Sequence, residues 1–245
     1  AMVDARWAAL QEAQAPLPLL VVDDTRLGLG ALAAHWRSHF PELPLIGVTG
    51  SNGKTSVKEL CAAILHAQAA LDGLDSAEAV LATEGNLNND IGLPLMLLRL
   101  RGHHRAAVIE MGMNAPGEIA YLTGLARPTV AVVTNAQRAH LLGLGGLAEI
   151  AREKGAIYAG LGHAGVAVVN ADDAFADFWR GLNADRRLMS FGLDGAADVS
   201  GHYVMRGLGS RIDLTSPAGA VSFELQIPGV HNVRNAVGAA AACLA

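Results

Sequence analysis

Apolar residues along this chain follow two rhythms. Short unbroken apolar runs at residues 45–49, 106–111, 129–134 and 166–170 read as strands buried on both faces. Between them lie stretches with apolar residues three and four apart, the mark of helices packed by one face. Such helices are predicted at 56–69, 92–99, 118–125 and 147–161, and weaker strands at 18–22 and 80–83. Asp23-Asp24-Thr25 is a helix start signal, and the helix after it runs to about Phe40, closed by Pro41 and Pro44. Alternating strands and helices predict an α/β fold with a mostly parallel sheet flanked by helices. The rhythm changes after about Asp185. Residues 187–227 predict short strands with Gly-rich turns, a small antiparallel patch, and 231–245 a closing helix.

One junction between the two rhythms carries chemistry. Leu45-Ile46-Gly47-Val48-Thr49 feeds Gly50-Ser51-Asn52-Gly53-Lys54-Thr55-Ser56, and a helical pattern follows. Gly50 and Gly53 let the backbone curl so that its N–H groups point at phosphate oxygens. Lys54 can reach the β- and γ-phosphates, and the Thr55 hydroxyl can hold Mg2+. The helix adds its positive dipole end. The usual spacing of this loop places Gly five residues before Gly53, where this chain has Val48, so the P-loop is a variant. A plain Gly-rich turn is the bland alternative, and the strand–turn–helix context speaks against it.

Composition narrows the partners. The 245 residues are 51% hydrophobic and 17% charged, enough for a sizeable core and against disorder. A net charge of −5 without a basic stripe argues against nucleic acid. Cys61 and Cys243 show no metal spacing and read as buried thiols, in keeping with a reducing cytoplasm. No apolar run reaches the ~18 residues of a membrane span. Asp4 and Arg6 interrupt any signal-peptide pattern, and Ala1-Met2 reads as a cloning remnant before a mid-protein start.

Other polar clusters follow the strands, at the ends where ligands of open α/β sheets collect. Glu110 closes the 106–111 run as a Mg2+ ligand or a solvated strand-end carboxylate. Thr134-Asn135 ends the next strand, with His140 soon after. Asn86, Asn88, Asn89 and Asp90 form either a turn or a substrate-holding loop. Composition alone reads Lys154 as a surface lysine. Asn232 and Asn235 start the last helix on one face, as caps or as contacts to one ligand.

Taken in order, six motifs resemble the Mur ligases, ATP-dependent amide-forming enzymes of peptidoglycan assembly. They are Thr49–Thr55, Glu110-Met111-Gly112, Thr134-Asn135 with His140, Lys154-Gly155, Asn170-Ala171-Asp172-Asp173 and His231-Asn232-Val233-Arg234-Asn235. The resemblance runs from about Leu19 to the end. Gly85-Asn86-Leu87-Asn88-Asn89-Asp90-Ile91-Gly92-Leu93-Pro94 and Val21-Val22-Asp23-Asp24-Thr25 are similar to the branch that adds D-Ala-D-Ala to UDP-N-acetylmuramoyl-tripeptide.

The resemblance implies an acyl phosphate route using ATP and two Mg2+ ions. It implies catalytic roles for Lys54, Glu110, His140 and Lys154. ATP contacts would come from Thr49, Gly50, Ser51, Asn52, Gly53, Lys54, Thr55, Ser56, Asn86, Asn135, Asn232 and Asn235. Asn86, Asn88 and Asn89 would face the substrate. Thr55 and Glu110 would hold the first Mg2+ and His140 the second, with Lys154 a further oxygen ligand if carbamylated. Residues 1–42 would be a remnant of a UDP-substrate domain with its linking helix, and 43–245 the central ATP-binding domain. A C-terminal domain is expected to be missing, which would leave this piece a weak nucleotide binder without ligase activity. The expected state is a cytoplasmic monomer. Another Mur-type ligase, a folylpolyglutamate synthase-like enzyme and a non-enzymatic P-loop switch remain alternatives.

Overall fold

A computed structural model describes residues 1–11, 17–137 and 146–245. The architecture follows from the strands that are apolar at every position. β3 (Leu45–Thr49), β5 (Ala106–Glu110), β6 (Val130–Val133) and β7 (Val166–Asn170) are buried along their whole length. A strand with no polar face must be covered on both sides, which parallel strands with crossover helices achieve.

These strands sit at the centre of one nine-stranded sheet. Its order is β11-β10-β9-β8-β7-β6-β3-β5-β4, with β4 at Val80–Ala82 and β8 at Arg187–Gly192. Pairing is parallel from β4 through β8 and on to the start of β9 (Val199–Arg206). Only β9, β10 (Gly209–Ser216) and β11 (Gly219–Leu225) pair antiparallel. The antiparallel strands expected within 187–227 are therefore this wing. β8, at the front of that stretch, belongs to the parallel part, and the wing extends the same sheet.

The sheet divides the core in two. One face packs α2 (Thr25–Arg37), α5 (Gly92–Leu97), α6 (Glu118–Ala126), α7 (Leu147–Gly155) and the 3-10 turn Ala156–Gly160 around Leu97, Ile109, Leu122, Ile150 and Trp179. The other packs α3 (Lys54–Leu71) and the closing helix Val230–Leu244 over Val48, Val108, Val132, Val168, Ile212 and Val237. Asp24 caps α2, accepting from Arg26 N and Leu27 N, as its start signal predicted. Arg37 then fixes the end of α2. Its buried guanidinium donates to the carbonyls of Ala126, Phe40, Leu43 and Arg127. Ahead of α2, β1 (Met2–Asp4) and β2 (Leu20–Val22), joined through α1 (Ala5–Gln11), form a separate two-stranded parallel pair, and the short α4 (Ser76–Ala79) leads into β4. No helix among the described residues is long and apolar enough to cross a membrane.

Candidate nucleotide site

The site is built at the carboxyl ends of β3, β5, β6 and β7, the edge where an open α/β sheet collects ligands. After Thr49 the chain turns through Gly50 (φ +146°) and Gly53 (φ +80°), conformations that L side chains rarely adopt. Both glycines are also pressed from outside. A Cβ on Gly50 would collide with Thr134 Oγ1, and one on Gly53 would lie 2.5 Å from Asn235 Oδ1. The strand, the loop and the closing helix thus meet at two residues without side chains. Val48, where the usual loop has Gly, is fully buried inside β3 and serves the core.

The loop is braced by the segment after β6. Ser51 N donates to Asn135 O at 2.9 Å and Asn52 N to Asn135 Oδ1 at 3.0 Å. Thr134 Oγ1 and Asn135 Nδ2 both donate to Asn52 O, at 2.6 and 3.0 Å. Gln137 completes the brace. Its N–H donates to Ser51 Oγ at 2.9 Å, and its Oε1 accepts from Asn52 Nδ2 at 2.7 Å. In this structure Asn135 therefore spends its amide on the loop. Gln137 was not singled out from the sequence, because nothing in its local pattern marks a partner 85 residues away.

The charged groups lie together. Lys54 Nζ folds back onto Gly50 O at 3.0 Å and Ser51 O at 3.3 Å. Burial pushes its pKa down, and nearby Glu110 pulls it back up. Glu110 is 2% exposed, so it is no solvated strand-end carboxylate. Thr55 Oγ1 donates to its Oε2 at 2.9 Å and Asn88 Nδ2 to its Oε1 at 2.7 Å. Lys154 is also 2% exposed, which overturns its reading as a surface lysine. Its pKa is lowered to about 8, first by burial and then by the positive charge of Lys54, against the opposing pull of Glu153 and Glu118. His140 lies outside the described residues.

The asparagines divide by role. Asn89 Oδ1 accepts from Ile91 N and Gly92 N and so serves the start of α5 as a turn residue. Asn86 is exposed, and its side chain makes no hydrogen bond among the described residues. Asn232 and Asn235 are buried and linked, Asn235 Nδ2 donating to Asn232 Oδ1 at 3.2 Å. They line a cleft of about 570 Å3 with Asn52, Gly53, Thr134 and Asp172. Asp172 anchors the far wall. It accepts from Leu193 N at 2.7 Å and from Arg234 Nε at 3.2 Å, and Arg234 also reaches Asp194 at 2.8 Å. Asn170 Nδ2 donates to Thr134 O at 2.8 Å, and Asp173 accepts from Ala136 N at 2.9 Å, which secures the brace from the next strand.

A braced glycine loop at a helix start, a lysine, a buried carboxylate beside a threonine hydroxyl and an asparagine-lined cleft define a P-loop nucleotide-binding α/β domain. Residues 48–243 match the Mur ligase middle domain, and the chain belongs to the Mur ligase family. It is 43% identical over 225 residues to the UDP-N-acetylmuramoyl-tripeptide–D-alanyl-D-alanine ligase of Haemophilus influenzae, covering 92% of this chain and 48% of that enzyme. The Escherichia coli ligase of the same name is 43% identical over 227 residues, with the same shares covered. A crystal structure of MurF from Acinetobacter baumannii superposes with a TM-score of 0.87 at 39% identity, over 95% of this chain and 49% of that one. MurF from Thermotoga maritima in complex with ADP, at 24% identity and a TM-score of 0.72, shares the fold. The chain spans about half the length of these relatives.

Proposed function

We propose that this chain is the central ATP-binding portion of a ligase that joins D-Ala-D-Ala to UDP-N-acetylmuramoyl-tripeptide. Residues 43–245 would form that portion, with 1–42 a remnant of a UDP-substrate domain and its linking helix. The γ-phosphate of ATP passes to the terminal carboxylate of the tripeptide, giving an acyl phosphate and ADP. The amine of D-Ala-D-Ala attacks the acyl carbon, phosphate leaves, and an amide remains.

What supports the D-Ala-D-Ala branch above the others is the 43% identity to two ligases named for that reaction. The Asn-rich loop that marks the branch folds against the site, with Asn88 on the Glu110 carboxylate. The loop that marks the branch thus touches the group that would hold the metal.

In this reading Lys54 leaves its own loop carbonyls for the β- and γ-phosphates, where its charge offsets the phosphate developing in the transition state. The loop N–H groups cradle the same oxygens. Asn86 stands near the transferred phosphate, and Asn232 and Asn235 face the adenine. The donor set suits Mg2+, because Thr55 Oγ1 and Glu110 Oε2 are hard oxygens 2.9 Å apart beside the phosphate cradle. When bound, Mg2+ would supply charge neutralisation between nucleotide and carboxylate.

A second ion, held in part by His140, and a carbamylated Lys154 complete the proposal. The Lys154 environment favours the modification chemically. A pKa of about 8 leaves part of the amine neutral near physiological pH, and only the neutral amine adds CO2, releasing one proton. The resulting anion would turn the repulsion from Lys54 into attraction. The proposed working state is a monomer. Use of ATP and a UDP-linked substrate supports a cytoplasmic reaction.

The test uses the full-length protein that carries this chain, with UDP-N-acetylmuramoyl-tripeptide, ATP and a panel of acceptors. Amide formation with D-Ala-D-Ala, and little with single amino acids, is expected. Preference for a single amino acid, or for glutamate on a folate, would replace the D-Ala-D-Ala reading with another ligase of the family. ATP hydrolysis without any ligation would return it to a nucleotide switch.

A further inference from the structure

Asn88 was expected to face the substrate, yet its amide is committed to Glu110. Asn88 Nδ2 donates to Oε1 at 2.7 Å while Thr55 Oγ1 donates to Oε2 at 2.9 Å. The Glu110 backbone is held too, its N–H donating to Thr83 Oγ1 at 2.9 Å. The loop is pinned on either side of the amide, with Gly112 N donating to Asn88 O at 2.8 Å and Asn88 N to Asn86 O at 2.7 Å. The side chain reaches the carboxylate over the bare α-carbon of Gly112. A Cβ there would lie 2.9 Å from Asn88 Oδ1 and 3.1 Å from Nδ2.

A carboxylate with two free oxygens can turn and bind a cation through either or both. One whose first oxygen is held by an amide presents the second in a fixed direction. We propose that Asn88 is a positioning residue, which holds Oε1 of Glu110 so that Oε2, beside the Thr55 hydroxyl, is the oxygen offered to a divalent cation. This rests on the reading of Thr55 and Glu110 as Mg2+ ligands. Asn88 then acts on metal affinity through Glu110, and the substrate-facing part of the loop falls to Asn86.

The experiment titrates MgCl2 into this chain at fixed AMP-PCP and follows nucleotide binding by calorimetry. Wild type, Asn88→Ala, Gly112→Ala and Glu110→Ala are compared, with a thermal melt of each as the folding control. Gly112→Ala displaces the same amide without removing it, so the test survives if one variant fails to fold. The proposal expects both Asn88→Ala and Gly112→Ala to raise the Mg2+ half-saturation about tenfold or more, with AMP-PCP affinity in EDTA unchanged. Wild-type half-saturation in both, with a rise in Glu110→Ala, overturns the role of Asn88 and leaves the metal reading standing. No rise in Glu110→Ala overturns the metal reading and this proposal with it. An equal loss of AMP-PCP affinity in EDTA shows that Asn88 acts on the nucleotide directly, which also overturns it.

Discussion

The parallel half of the sheet and its antiparallel wing are built from different residue patterns, unbroken apolar runs against mixed strands, and do different work. β3, β5, β6 and β7 are buried at every position, whereas β10 alternates buried and exposed and β11 is largely exposed. Parallel strands all end on one edge, so the groups that follow them converge there. Gly50, Glu110, Thr134 and Asn170 come together in this way. Antiparallel strands end alternately on opposite edges and cannot gather such a set. The wing contributes support instead. Val199, Ile212, Leu214 and Leu225 pack with Val233 and Val237, which seats the closing helix and brings Asn235 against Gly53.

The largest effect that would test this division belongs to chemistry at the parallel edge. In the full-length protein, Lys54→Ala is expected to lower ligation by about a thousandfold, since it removes the charge that the proposed function assigns to the transferring phosphate. Its melting temperature should change little, because among the described residues the ammonium donates to Gly50 O and Ser51 O of its own loop. Retained turnover would remove Lys54 from the role.

The next effect is on stability. Ile109 is fully buried in β5, one residue before Glu110 at its end. Ile109→Ala should cost about 4 kcal/mol in urea denaturation, from lost burial and the cavity left behind. A cost under 1 kcal/mol would mean that the parallel core collapses around the gap and is softer than its burial implies.

How much of this was legible beforehand follows the same division. Unbroken apolar runs gave the central strands, because burial on both faces leaves a mark in every residue. The phosphate loop was legible for a related reason: glycine spacing and the lysine are fixed by local backbone geometry. Partnerships across long separations were not. Gln137 and Asn88 carry no local signal for Asn52, 85 residues away, or for Glu110, 22 away. β8 read as part of the wing because Arg187 and Ser190 break its apolar run, and its parallel partner β7 is chosen by the crossover through residues 171–186. Composition alone misreads Lys154 because long-chain amines are seldom buried, and it was the resemblance, not any local pattern, that set it in the site.

Lys154 gives a smaller effect with a defined pH window. Its folded pKa of about 8 lies below the ordinary lysine value of 10.5. Between those values the unfolded chain binds more protons, so this residue makes stability rise with pH there, while below about pH 8 the full cost of a buried ammonium is present. In the unmodified chain, Lys154→Met should therefore raise stability below pH 8, by at most about 3 kcal/mol. The gain should shrink through the window and vanish near pH 10.5. Denaturation curves at pH 7, 9 and 10.5 would check it. A gain that is constant with pH would assign the effect to packing of the methionine and leave the charge without a part.

The smallest effect is expected on the outer face of the wing. Val204 is 60% exposed in β9 and sits opposite exposed Arg211 in β10. Val204→Thr keeps the branched side chain that suits a strand and removes little buried area, so stability should change by less than about 0.5 kcal/mol. AMP-PCP affinity should not change at all, because the wing acts on the site only through its inner residues and the helix they seat. A loss of affinity from this exposed position would show that the wing reaches the nucleotide by a route other than Ile212 and Val237, and the separation between a working edge and a supporting wing would fall.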